Sequence, residues 1–240
     1  MKLKATLLLS TLVLSGAAFA QTKPEPDYTL SFNVGAVTDY RYRGISQSRL
    51  KPALQGGADF AHKSGFYVGT WASSIKWIKD AGGSADAEVD IYGGYKFNAG
   101  PVGLDVGALT YNYPDHQLSV SPNTQEGYIA GTFGPATLKY SHSFSNLFGF
   151  SDSKNSYYVD LSAAFDMGSG WSVVPHIGYQ KVKNNSAADY TDYSVTLNKD
   201  FGNGFTASAA LVDTDTDAYV APNGKNLGRS GVVLGVKYSF

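Results

Sequence analysis

The sequence predicts an all-β protein: a transmembrane, antiparallel, up-and-down β-barrel of about twelve strands, with boundaries that also admit ten or fourteen. Three observations predict it. Apolar and polar residues alternate with a period of two in segment after segment, the pattern of strands with two unlike faces. The connections between segments alternate strictly between short and long. The chain ends on an aromatic residue, Phe240, in phase with its last alternating segment.

The N-terminus, "MKLKATLLLSTLVLSGAAFAQ", places two lysines before an apolar run and small residues around Ala18-Phe19-Ala20. It is expected to be a secretory signal peptide, residues 1–20, cut after Ala20. A short segment, 21–28, then leads into a barrel over 29–240. No later segment carries the ~20 apolar residues of a spanning helix. Losing Lys2 and Lys4 from 19 basic residues leaves 17 against 20 acidic ones, a net charge near −3. That balance carries no nucleic-acid footprint. There is no cysteine, which excludes thiolate metal sites, thiol catalysis and an acylated anchor. Export without cysteine fits the Gram-negative envelope, and the expected location is the outer membrane.

The segments follow in order. In 29–43, Leu30, Phe32, Val34, Ala36, Tyr40 and Tyr42 share a face, opposite Ser31, Asn33, Gly35, Asp39, Arg41 and Arg43. Strands are expected next at 52–62, 65–76, 85–98, 101–112, 124–133, 135–143, 155–166, 170–181, 189–200, 204–213 and 229–240. In 85–98, Val89, Ile91, Tyr95 and Phe97 oppose Glu88, Asp90, Tyr92 and Lys96. In 155–166, Tyr157, Val159 and Leu161 oppose Tyr158, Asp160 and Ser162. The last sets Val232, Leu234, Val236, Tyr238 and Phe240 against Gly235, Lys237 and Ser239. Segments 65–76 and 124–133 carry rings on both faces, which leaves their parity open.

A soluble sandwich would alternate too. The barrel reading rests on rings at segment ends, which suit an interfacial girdle, and on loop lengths. Tight turns fall at 62–65, 98–101, 134–135, 167–170 and 202–204. Long connections fall at 44–51, 77–84, 113–123, 144–154, 182–188 and 214–228. Twelve strands with both ends on one side give five short turns and six long loops, as counted. Phe240, with Tyr238 before it, resembles the terminal signature by which outer-membrane barrels engage their assembly machinery.

Residues 39–73 carry a more specific signal. Tyr40-Arg41-Tyr42-Arg43-Gly44-Ile45-Ser46-Gln47, Pro52-Ala53-Leu54-Gln55-Gly56-Gly57 and Ser64-Gly65-Phe66-Tyr67 resemble the TorF family of proteobacterial porin-like proteins. The resemblance implies an outer-membrane, porin-like protein of unknown substrate and brings no assigned functional residues. The expected function is passive diffusion of small hydrophilic solutes, with outer-membrane lipids and lipopolysaccharide as surroundings. The alternatives are a lipid-modifying enzyme and a closed structural or adhesive barrel.

The candidate site is a set of cations. The four arginines are Arg41, Arg43, Arg49 and Arg229. Three flank the first long loop and the fourth precedes the last strand. In a closed barrel the first and last strands are neighbours, so all four are expected together at the outer mouth, with Asp39 among them. Parity turns Arg41, Arg43 and Arg229 inward and Tyr40 and Tyr42 toward lipid. Such a patch would guide organic anions. No catalytic residue, cofactor or metal site is expected. In "YSHSFSN", 140–146, His142 has Phe144 rather than a serine two residues on, and a nucleophile and base on one strand face must be two apart. "DTDTDAY", 213–219, lacks the glycine and distal glutamate of a calcium loop. His62, His116 and His176 are scattered.

Overall fold

Antiparallel strands, each bonded to its neighbours in the chain, close into a barrel in a computed structural model that describes residues 26–240. The expected leader, 1–20, and residues 21–25 lie outside the described residues. The strands are β1 (Tyr28–Val37), β2 (Ala53–His62), β3 (Phe66–Ser74), β4 (Ala87–Ala99), β5 (Val102–Asn112) and β6 (Thr124–Phe133). They continue as β7 (Ala136–Ser143), β8 (Tyr157–Ala163, resuming as Phe165–Gly168), β9 (Trp171–Lys181), β10 (Tyr190–Asp200), β11 (Phe205–Thr214) and β12 (Gly231–Ser239). β1 pairs with β12, from Asn33 with Ser239 to Val37 with Gly235, so the sheet has no free edge. The interruption in β8 lies opposite Val174–Pro175 of β9, where Ser162 pairs with His176 and Phe165 with Val173. Proline has no N–H to give the ladder.

Eleven of the twelve expected strands lie where alternation placed them, and the parity left open in β3 and β6 is resolved. Tyr67 and Trp71 of β3 and Tyr128 of β6 point inward; Phe66, Val68, Ile129 and Phe133 point out. The first strand is the exception. It ends at Val37, not 43, and the chain then turns into the barrel.

The outer wall is apolar. Ile129 is 50%, Leu211 63% and Phe240 53% exposed, within a continuous belt of such residues. A water-soluble monomer exposes no apolar surface on this scale. Rings cap the belt at both ends: Phe97, Phe133, Trp171, Phe201 and Phe205 beside the short turns, and Tyr140, Phe144, Tyr179 and Tyr193 beside the long loops. Phe240 stacks on Phe32 and Tyr238 at the short-turn rim, and its N–H and C=O both bond Phe32. Belt and girdles are those of a membrane-spanning barrel.

The packed core sits at the other end. Ile75, Ile78, Leu147 and Val182, all in long loops, are fully buried. With Tyr40, Tyr111 and Tyr113 on one side and Phe148, Ala188 and Tyr219 on another, they fuse the loops into a cap. A one-turn helix, Trp77–Asp80, belongs to this cap.

Candidate functional site

The connection 38–52 between β1 and β2 runs into the barrel instead of away from it. Its centre is a small hairpin, Arg41–Tyr42 against Ile45–Ser46. The turn residues Arg43 and Gly44 have φ of 46° and 77°, the left-handed pair that tight hairpins require. Gly44 is obligatory on a second count. A Cβ there would sit 2.7 Å from Asp192 Cβ and against the Thr214 methyl, because the tip abuts β10 and β11.

Asp39, buried at the root, ties the loop together. It accepts from Arg41 Nε at 2.5 Å, from Ser46 Oγ at 2.5 Å and from Ser48 Oγ at 3.1 Å. Tyr40 donates its hydroxyl to Glu88 of β4 at 2.6 Å. Burial first, then the Glu88 charge, push its phenol well above the ordinary range. Tyr42 meets the Tyr111 hydroxyl inside the barrel. The two tyrosines are therefore internal, not lipid-facing. Parity holds only while a chain remains in the sheet, and this one has left it at Thr38.

Arg43 reaches furthest. Its two Nη groups donate to both oxygens of Glu126 on β6, at 3.0 and 2.6 Å, and Nη1 also donates to Gln180 on β9 at 2.7 Å. Its guanidinium lies 4.3 Å over the Tyr158 ring of β8. β6 is four strands from β2, and β9 is four from β1 in the other direction, so the arginine crosses the lumen. Arg43 and Glu126 are both buried, with side chains 7% and 2% exposed. Burial works against the guanidinium charge, but Glu126 more than offsets this and holds Arg43 protonated above its ordinary range.

The expected arginine patch is therefore corrected. Arg41 and Arg229 do meet at the β1–β12 seam, where Arg41 Nη1 donates to the Arg229 carbonyl at 3.1 Å. Arg43 lies across the barrel, and Arg49 pairs with Asp80 in the second long loop. Arg41, Arg43 and Arg49 each have a carboxylate partner, while Arg229 is exposed.

Around and below the loop the lumen is lined by tyrosine–carboxylate pairs. Tyr92 donates to Asp59 at 2.5 Å, Tyr67 to Asp105 at 2.7 Å, Tyr158 to Asp192 at 2.8 Å and Tyr113 to Glu88 at 2.7 Å. His176 Nε2 lies 2.6 Å from Asp160. Lys139 sits 4.0 Å over Tyr128 and Lys96 4.8 Å over Tyr67. Sequence reasoning put the acids, the lysines, Tyr92 and Tyr158 inside. It missed Glu126, Gln180 and Tyr111 as partners of the loop. A ring in the polar phase of a strand is the signal that finds such tyrosines. Toward the short-turn end a cavity of about 250 Å³ remains, lined by Asn33, Gln55, Trp71, Asn198, Ser208 and Lys237 among others.

His142 points outward. It bonds Tyr140 and Asn155 and packs on Phe144, while Ser141 and Ser143 are buried on the other face. The carboxylates of 213–219 serve local bonds: Asp215 accepts from the Thr191 N–H and Asp217 from Asn226. Among the described residues no three His, Cys, Asp or Glu side chains gather as metal ligands.

A family model described as "Bacterial protein of unknown function (Gcw_chp)" matches residues 21–240. No curated protein matches the sequence. Among solved structures, the KdgM porin aligns at TM-score 0.58 and 10% identity, covering 88% of this chain and 99% of the porin. The NanC porin aligns at 0.56 and 12%, with 88% and 99% covered. The Acinetobacter baumannii outer membrane protein Omp33 aligns at 0.51 and 6%, with 89% and 98% covered. At such identities the likeness is one of fold.

Proposed function

The chain belongs to the Gcw_chp family of bacterial proteins of unknown function, and we propose that it is a porin-like channel of the Gram-negative outer membrane, narrowed by its own first loop. It passes small hydrophilic solutes by diffusion. The observation that carries this reading is a polar, partly open lumen inside an apolar-belted barrel, constricted by the hairpin of Arg43. The resemblance of residues 39–73 to the TorF porins supports it. Export would follow removal of residues 1–20, with the long loops facing lipopolysaccharide. The arginines act here by holding the loop. Guidance of organic anions at the outer mouth falls to exposed Arg229, because Arg41, Arg43 and Arg49 are matched by carboxylates. Lipid hydrolysis is not expected, since His142 faces away from the neighbouring serines.

Planar-bilayer recording tests the reading. Small, resolved conductance steps are expected from protein that migrates differently before and after boiling. A folded barrel that gives none is the closed structural barrel, which the buried Arg43–Glu126 pair also suits. Phe240, outward at the inner rim, is proposed as the contact for the assembly machinery. Its deletion is expected to lower the yield of heat-modifiable barrel in cells, and an unchanged yield would remove that role.

A further inference from the structure

The lumen holds one carboxylate that the chain leaves unsatisfied. Among the described residues, Glu88, Glu126, Asp59, Asp105 and Asp192 all accept from a tyrosine or from Arg43. Asp90, two residues from Glu88 on β4, does not share in this. It is 7% exposed, and its Oδ1 is buried without a donor. A lone carboxylate taken out of water is costly, and it is relieved by a proton or by a cation.

The neighbours say which cation suits it. Asp90 is paired laterally with Trp71 of β3 and Tyr111 of β5, so an indole and a phenol flank it on the same inward face. Tyr40 of the folded loop packs edge-on against Trp71 at 5.3 Å. Aromatic faces attract cations of low hydration such as alkylammonium groups. A hard metal ion instead asks for six or more oxygens, and no such group gathers here. The loop arginines cannot serve, since Arg41 is held by Asp39 and Arg43 by Glu126. Trp71 also lines the 250 Å³ cavity that continues toward the short-turn end, so open lumen reaches the indole beside Asp90.

We propose that Asp90, set between Trp71 and Tyr111, is a binding site for small organic ammonium solutes. This rests on the channel reading for the solute's route across the membrane. Binding itself does not require conduction, which keeps the two separable.

The test is calorimetric titration of choline into the refolded mature chain in maltoside micelles, with sodium acetate as control. The expected result is saturable choline binding, weakened about tenfold or more in Asp90→Asn, which removes the charge at constant shape. Trp71→Leu is expected to weaken it too. Heat-modifiable migration of each variant confirms a folded barrel. Absence of saturable binding in the wild type, equal affinity in folded Asp90→Asn, or displacement by equimolar sodium would overturn the proposal. Binding without conductance would remove the channel and leave the site; conductance without binding would do the reverse.

Discussion

Replacing Arg43 with alanine is expected to raise single-channel conductance several-fold while the barrel stays folded. The loop hairpin is fixed at its root by Asp39, but its tip is held to the far wall by Arg43 through Glu126 and Gln180. Removing the guanidinium leaves Glu126 buried without a cation, accepting only from the Tyr111 hydroxyl, which costs about 3–5 kcal/mol in place. The strands need not absorb that cost, because their ladders do not depend on the loop. The cheapest relief is for the tip to leave the wall, so that water reaches Glu126. The lumen then widens at its narrowest level. Glu126→Gln should open it less, since Gln180 and a neutral amide still accept from Arg43. A double Arg43→Met, Glu126→Met variant should keep the loop closed by apolar packing, and the cycle isolates the pair. Unchanged conductance in a folded Arg43→Ala barrel would mean that the hairpin is held by its hydrophobic contacts alone.

Ile129→Arg is expected to destabilise the barrel by about 2–4 kcal/mol in lipid, the cost of a cation facing the hydrocarbon near the middle of the bilayer. Ile129 is half exposed at the centre of β6, on the lipid side. The same change at Ser208 on β11, which lines the lumen cavity, should cost far less. Urea unfolding in phospholipid vesicles, followed by heat-modifiable migration, reads both. Equal tolerance of the two arginines would refute the assignment of faces, and with it the membrane reading of the belt.

Those faces were largely legible in the chain. Alternation placed Asp59, Glu88, Asp105, Asp160 and Asp192 inside, and their tyrosine and histidine partners bear this out; Asp90, also placed inside, is buried there without a partner. It left β3 and β6 undecided, because Tyr67, Trp71 and Tyr128 put rings on the lumen face as well as the lipid face. An inward tyrosine looks like a lipid-facing one until its hydroxyl is seen to reach a carboxylate on another strand.

Strand positions and loop order were thus legible in local information: the period of two, the turn residues and the lengths between them. Each of these is a property of neighbours in the chain. The path of residues 38–52 was decided only by the tertiary structure. Whether Arg43 faces a mouth or crosses a lumen depends on Glu126 and Gln180, 83 and 137 positions away, standing opposite when the sheet closes. Burying a charge is favourable only where its partner is already in place, and no spacing within one segment records that a partner waits on the far wall.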